Sequence, residues 1–472
     1  MTYAFTFDSS ACSGCKACQE ACKDKNNLPV GVMWRRVVEV SGGEWVGGGS
    51  FAKIGDSNQF ERPAPTIWEN SVFAYNLSIA CNHCEHPKCA GVCPTDAYVH
   101  RPDGIVYIDS DKCMGCGYCS WACPYNAPRY NFDLGQMAKC NFCFDNIDAG
   151  LPPSCVAACP MRVLNFVEVS ALPKEHRDNV SEVEGRMLWE IPATEHPFPL
   201  PNNSRTEPHL AVKPHRAMSN SLEKVIGNSE EIRPKKQKSE TSLVAFTLLA
   251  QMSAGMAWAG LWMTDTIPLI QYLLIGVSLA IGGFFSFAHL GAKRNAWRAP
   301  FHLKKSWLSR EILTAGLFGA SWFAGIFVPE IKWVTALLGA AFVYSMAKVY
   351  RLHVMPAWDT WRTTTGFFVT AALLGQSVMN VLLGGGRLDW GVVAVLLVVE
   401  LAMILSAKPK ARWSVTSLRV GLSAAAMLEA AILLFASNRS GVCASSFLFL
   451  LVVMEEVIGR VMFYEALHGK PL

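Results

Sequence analysis

Histidine is nearly missing from the second half of this 472-residue chain. Beyond residue 216 it occurs only as His289, His302, His353 and His468. A haem b held between helices needs paired axial histidines, so no haem is expected. A secretory leader is also missing in front of the first cysteines: Met1–Ser10 is short and carries Asp8. Without an exported context, a disulfide framework is not expected. No apolar stretch follows Arg35-Arg36, which therefore reads as part of a strand and not as an export signal. The net charge is only +4, and no nucleic-acid partner is expected.

Cysteine is abundant and sharply localised. Sixteen of the 17 cysteines precede Pro160. Cys12, Cys15, Cys18 and Cys22 have the spacing C-x2-C-x2-C-x3-C, and Cys113, Cys116, Cys119 and Cys123 repeat it with a proline following. Cys81, Cys84, Cys89 and Cys93 form C-x2-C-x4-C-x3-C-P, and Cys140, Cys143, Cys155 and Cys159 form C-x2-C-x11-C-x3-C-P. Structural zinc wants two pairs of ligands per tetrahedral site. Closely packed thiolates with a remote fourth before proline fit the corners of an iron–sulfur cube, and the spacing is that of bacterial ferredoxins. Four [4Fe-4S] clusters are expected, which together would make a path for electrons.

In two-cluster ferredoxins the fourth cysteine of each run ligates the other run's cluster. Groups two and three are close in sequence and should form one module, leaving groups one and four to form the other. The expected ligand sets are Cys12, Cys15, Cys18 with Cys159; Cys22 with Cys140, Cys143, Cys155; Cys81, Cys84, Cys89 with Cys123; and Cys93 with Cys113, Cys116, Cys119. No ligand position is substituted, so no three-iron cluster is expected. Cys443 stands alone in an apolar segment and reads as packing.

The overall 51% hydrophobic content covers two regimes. Residues 1–216 are mixed and turn-rich, with short-strand patterns such as Trp34–Val40 before Gly42-Gly43. Residues 217–240 are polar, ending Arg233-Pro-Lys-Lys-Gln-Lys238, and read as a linker. Residues 241–472 contain long apolar runs. A membrane helix needs about 20 apolar residues, which predicts eight spans at 242–263, 267–290, 309–328, 331–350, 363–383, 390–407, 417–436 and 443–464, with 331–350 and 390–407 the weakest. The expected fold class is an α+β ferredoxin-like domain with two double-cluster modules, followed by an all-α eight-helix transmembrane bundle. Lys and Arg from Arg233 to Arg412 number sixteen at the span ends and loops on the linker side, against Lys332, Arg387 and Arg439 on the other. The positive-inside rule then puts the cluster domain on the cytoplasmic side of the cell inner membrane. The same basic loops have a second reading as a docking surface for that domain.

Clusters joined to a membrane domain point to a lipid-soluble quinol as electron source, handing electrons directly to the nearest cluster. His289 closes the second span and Glu311 opens the third, both on the linker side. Oxidation of a quinol releases two protons with two electrons, and an imidazole with a carboxylate can take them. The alternatives are a helix-end histidine at the interface and a first-turn acid favoured by the helix dipole. Glu429, Glu455, Glu456 and Arg460 lie deeper; Glu456 and Arg460, four apart, can meet on one helix face.

These residues carry a resemblance. Phe7-Asp-Ser-Ser10, Leu77-Ser-Ile-Ala-Cys-Asn-His-Cys-Glu85, Cys123-Pro-Tyr-Asn-Ala-Pro128 and the four cysteine groups in order resemble the iron–sulfur subunit of anaerobic dimethyl sulfoxide reductases. His289-Leu-Gly291, Glu311 and Glu456-Val-Ile-Gly-Arg-Val-Met-Phe-Tyr464 resemble the eight-span anchor subunit of the same enzymes. The chain looks like a fusion of two subunits that are usually separate. The resemblance implies menaquinol oxidation at His289 and Glu311, and a separate catalytic subunit with a molybdopterin (bis-MGD) cofactor that reduces S- or N-oxides. The position six residues after the histidine, often arginine in the family, is Asn295 here, so Arg298 or Arg294 is expected to serve instead. Two other functions fit the same residues: an arm delivering electrons to quinone from a dehydrogenase, and a cluster-linked ion-translocating anchor.

Overall fold

A computed structural model describes residues 2–42, 73–169, 205–213, 215, 240–263, 269–406, 413–435 and 442–465. The linker 217–239 lies outside them. Strand β1 (Tyr3–Asp8), rich in aromatic and β-branched residues, is the centre of a three-stranded sheet. It pairs antiparallel with β8 (Leu164–Glu168) and parallel with β9 (Leu210–Lys213), with Phe5 opposite both Phe166 and Leu210. This pairing folds the chain start onto its fourth cysteine group, because Cys12 follows β1 and Cys159 precedes β8. Helix α1 (Ala17–Lys25), carrying Cys18 and Cys22, packs on α5 (Ser154–Ala157), which carries Cys155.

The remaining strands form three antiparallel pairs: β2 (Arg36–Gly42) with β3 (Phe73–Ile79), β4 (Tyr98–His100) with β5 (Val106–Ile108), and β6 (Arg129–Asn131) with β7 (Gln136–Ala138). Arg36 opens β2, while Arg35 lies just before it. The short helices α2 (Lys88–Gly91) and α3 (Tyr118–Ala122) pack together and carry Cys89 and Cys119. Helix α4 (Phe144–Asp148) follows Cys143.

Among the described residues eight long helices follow: α6 (Thr241–Met263), α7 (Leu269–Ala288), α8 (Trp307–Gly325), α9 (Lys332–Tyr350), α10 (Trp361–Leu383), α11 (Arg387–Ser406), α12 (Trp413–Phe435) and α13 (Val442–Glu465). Seven are long and apolar enough to cross a membrane, so this is a multi-pass membrane protein. The exception is α8, which carries Arg310 and Glu311 in its first turns; neither stretch that looked weakest in the sequence is the exception. Helices α6 and α10 cross at glycine: a Cβ on Gly255 would lie 1.8 Å from Ala371 O, and one on Gly375 2.1 Å from Gly255 C. Small residues at such crossings let membrane helices approach closely.

One expectation about this half is filled out and one is corrected. Glu456 and Arg460 lie within electrostatic reach of each other, while Arg460 donates to Gln251 Oε1 at 2.8 Å and Glu456 accepts from Thr370 at 2.9 Å. Glu455 pairs with Arg419 of α12, which also reaches Glu400 of α11 at 3.6 Å. Neighbouring helices offered better partners than the next turn of the same helix. Cys443 is exposed rather than packed, because it lies on an outward face at the start of α13.

Candidate electron-transfer site

Each cysteine loop repeats one backbone feature. The residue before the second cysteine has positive φ in all four: Gly14 at 70°, His83 at 43°, Gly115 at 70° and Phe142 at 61°. This curl turns backbone N–H groups inward toward sulfur. His83 N donates to Cys81 Sγ at 3.5 Å, Phe142 N to Cys140 Sγ at 3.4 Å, and Ala97 N to Cys93 Sγ at 3.4 Å. Such amides favour anionic sulfur.

The sulfurs crowd one another, largely along the expected sets, with Cys155 also bearing on Cys18 and Cys81 on Cys140. Burial, then Cys18, Cys159 and Cys15, holds the Cys12 thiol above its usual value. Burial, then Cys155 and Cys143, pushes Cys22 up to about 12; Cys140 lies beside Cys22 and Cys155. Burial, then Cys81, Cys123 and Cys89, raises Cys84 well above the usual range. Burial, then Cys116, Cys113 and Cys93, does the same to Cys119. Crowded buried thiols of this kind release their protons when a metal takes the sulfur.

Two buried cations stand among them. Arg35 is 2% exposed and lies beside Cys18, Cys22, Cys140 and Cys155. Its Nη1 donates to Ser78 Oγ at 3.1 Å, yet Nε and Nη2 have no hydrogen-bond partner among the described residues. Lys139 is 3% exposed and donates to Cys81 Sγ at 3.2 Å. Burial works against its charge, but the neighbouring sulfurs of Cys81, Cys89 and Cys140 outweigh this and hold it protonated. The orphaned buried N–H groups of Arg35 beside converging thiols fit an anionic group at that place, and an iron–sulfur cluster meets that description.

The membrane half meets one of these loops directly. His289, just past α7, has Nε2 3.1 Å from Cys116 O and Nδ1 3.1 Å from Ser286 O. Asn295 Nδ2 donates to Cys113 O at 2.9 Å, and Ala292 N to Met114 O at 3.1 Å. Three glycines form the seam: a Cβ on Gly291 would lie 1.8 Å from Gly135 O, and one on Gly115 would lie 2.1 Å from the same oxygen. Tyr118 Oη donates to Val349 O at 2.8 Å near the end of α9, and Trp121 packs on Tyr350 and Trp358. Glu311 is 4% exposed, with Oε1 lacking a hydrogen-bond partner among the described residues, and it lies within electrostatic reach of Tyr118. His289 and Glu311 thus both border the Cys116–Tyr118 turn.

The basic loop between α7 and α8 is partly a docking element. His302 and Lys305 face Asp96 at 3.6 Å and 3.7 Å, and Ser306 Oγ donates to Val92 O at 2.8 Å. Arg298 lies over the Trp297 ring with its Nε buried and without a partner, while Arg294 is exposed. Asn295, which appeared in the sequence only as a departure from the family's arginine, proves to be a seam residue. Tyr118 and Gly291 carried no sequence signal for this role, because their partners are far away in the sequence.

Residues 72–169 match a 4Fe-4S dicluster domain family, and residues 236–412 match the DMSO reductase anchor subunit (DmsC) family. One of the anaerobic dimethyl sulfoxide reductase chains of Escherichia coli (strain K12) is 40% identical over 213 residues, 45% of this chain and 89% of that protein. Its counterpart in Haemophilus influenzae is 37% identical over 232 residues, 49% of this chain and 98% of that protein. This protein belongs to the dimethyl sulfoxide reductase family. It joins a part like those two reductase chains to an anchor part in one polypeptide. It is an iron–sulfur electron-transfer subunit that carries its own membrane anchor. A more distant relative, a sulfite dehydrogenase subunit of Allochromatium vinosum, is 34% identical over 217 residues, covering 42% of this chain and 82% of that protein.

Proposed function

We propose that this chain oxidises menaquinol at the His289–Glu311 edge and conducts electrons to a separate molybdopterin (bis-MGD) catalytic subunit that reduces S- or N-oxides such as dimethyl sulfoxide. The observation that carries this reading is the 3.1 Å approach of His289 Nε2 to Cys116 O, which joins a membrane helix end to a cysteine tetrad. Bound by the four tetrads, [4Fe-4S] clusters would supply one-electron carriers. The reading takes residues 1–216 as two double-cluster modules, 217–240 as linker, and 241–472 as an eight-span anchor that includes α8.

The chain's own residues account for the two ends. Both ring nitrogens of His289 face carbonyl oxygens, Ser286 O and Cys116 O. A neutral imidazole donates to one of them, and only the imidazolium donates to both. Taking a proton from quinol therefore completes a second hydrogen bond. Glu311, with a free carboxylate oxygen, takes the other proton. Arg298 lies in the same loop and is the cation assigned to the quinol oxygens. At the far end the set of Cys12, Cys15, Cys18 and Cys159 lines a pocket with Met161, and Cys15 is exposed. That is the face for the catalytic partner.

With four tetrads between them, quinol and partner lie on the same side of the membrane, and the basic bias favours the cytoplasmic side of the inner membrane. The test is chemical. The purified protein should hold iron and acid-labile sulfide in equal amounts, about sixteen of each per molecule for four cubanes, and excess menaquinol should reduce them without the partner. Iron at half that level, or clusters inert to menaquinol, contradicts the proposal. The likeness to a sulfite dehydrogenase subunit favours a second reading in which the same path runs toward quinone. Measured cluster potentials above that of menaquinone support the first direction, and potentials below it the second.

A further inference from the structure

Lys139 is a buried cation whose partners are sulfur and backbone. Its ammonium uses all three donors: Cys81 Sγ at 3.2 Å, Cys140 O at 3.2 Å, and Val106 O. No carboxylate lies within ion-pair distance of it among the described residues. Buried charges are normally paired or placed beside a metal centre. Cys81 and Cys89, on one side of Lys139, belong to the set completed by Cys84 and Cys123. Cys140, on the other side, belongs to the set of Cys22, Cys143 and Cys155. The ammonium therefore touches a cysteine of each of two sets drawn from different pairs of cysteine groups, through Cys81 Sγ and Cys140 O. Arg35 holds the same place at the next junction, between Cys18 on one side and Cys22, Cys140 and Cys155 on the other.

We propose that Lys139 is a redox-tuning residue: its fixed positive charge raises the potentials of the two clusters that it separates, at the step where electrons pass from one module to the other. This rests on the reading of the tetrads as cluster ligands. Each one-electron reduction adds a negative charge to a cluster, and no bond or proton need move. A positive charge a few ångströms away, in a low-dielectric interior, stabilises the reduced form over the oxidised one. Lying against both sets, it acts on donor and acceptor together. Both potentials then rise together, so the charge itself opens no gap between donor and acceptor at this step. The hydrogen bond to Cys81 Sγ acts in the same direction, because hydrogen bonds to ligand sulfur tune cluster potential.

The test is an EPR-monitored redox titration of the full-length holoprotein in membranes, comparing wild type with Lys139→Gln, Lys139→Met and Lys139→Arg. In the neutral variants, two of the cluster signals are expected to shift to lower potential, with the reduced-to-oxidised ratio at a fixed potential falling on the order of tenfold, or about 59 mV for one electron. The other two signals should move less, and Lys139→Arg should stay near wild type. Unchanged potentials in an iron-replete neutral variant overturn the proposal, as does an equal shift of all signals. If both neutral variants lose iron while Lys139→Arg keeps it, a required positive charge is supported. Loss of iron in all three assigns Lys139 a packing role and overturns the proposal. A wild-type protein without cluster signals would instead defeat the underlying reading of the tetrads, a separate and recognisable failure.

Discussion

Gly291→Ala should separate the two halves of the path while leaving each intact. A Cβ at this position would lie 1.8 Å from Gly135 O and 2.3 Å from Tyr130 Oη. A carbon-to-oxygen contact needs about 3.3 Å, so the seam must open by about 1.5 Å. The 3.1 Å approach of His289 Nε2 to Cys116 O and the 2.9 Å bond from Asn295 to Cys113 O would then both exceed hydrogen-bonding range. Two lost hydrogen bonds at about 0.5–1.5 kcal/mol each cost about 1–3 kcal/mol, and every 1.4 kcal/mol is tenfold in the docked population. Menaquinol-driven reduction of the clusters, followed by stopped-flow absorbance, should therefore slow by roughly tenfold to a hundredfold. The iron content and EPR signals should not change. The matched control is Gly283→Ala on α7, where an added Cβ meets nothing within 4 Å. A Gly291→Ala protein as fast as this control would refute the reasoning that electrons enter across this seam.

Three further outcomes follow from the same geometry. Tyr118 Oη satisfies Val349 O, one of the last carbonyls of α9 that lack an intrahelical partner; Tyr118→Phe should cost about 1–3 kcal/mol and lower the melting temperature in detergent, and an unchanged melting temperature would contradict this. Asn295→Leu should be mild, because Cys113 O also accepts from Gln136 Nε2 at 3.0 Å, whereas Asn295→Asp should be clearly worse, since it turns a buried carboxylate toward that carbonyl; equal effects on cluster reduction would show that the contact is not polar in origin. Cys443 lies in the first turn of a 24-residue helix whose far end meets Tyr350 through Tyr464, about 32 Å away along the axis, so an impermeant maleimide should label it from the outer face of intact cells if the cluster domain is cytoplasmic. Labelling only in inverted vesicles would reverse the orientation.

The sequence was most legible where function is written in local spacing. The cysteine groups, the apolar runs and the isolated His289 need only their neighbours in the chain to be recognised. The convergence of group one on group four was a matter of ferredoxin analogy until the pairing of β1 with β8 supplied a physical reason. The seam was hidden because its contacts join residues 173 and 182 positions apart, and small or neutral residues such as Gly291 and Asn295 advertise nothing alone. Arg35 and Lys139 were hidden for a related reason: a charge in a mixed stretch ordinarily reads as solvated, and only burial beside sulfur gives it meaning. Inside the membrane half, helix periodicity proposed Glu456 with Arg460, which do lie within electrostatic reach, but their hydrogen-bond partners Thr370 and Gln251 come from neighbouring helices.

The central claim is that quinol delivers electrons at His289 without a haem relay. The direct measurement is the rate at which menaquinol reduces the clusters in full-length His289→Ala protein, with the EPR signals of all clusters recorded on the same sample. Loss of quinol-driven reduction, with every signal still obtained by dithionite, is the predicted result. Reduction at the wild-type rate would remove His289 from the mechanism and contradict the proposed entry point for electrons.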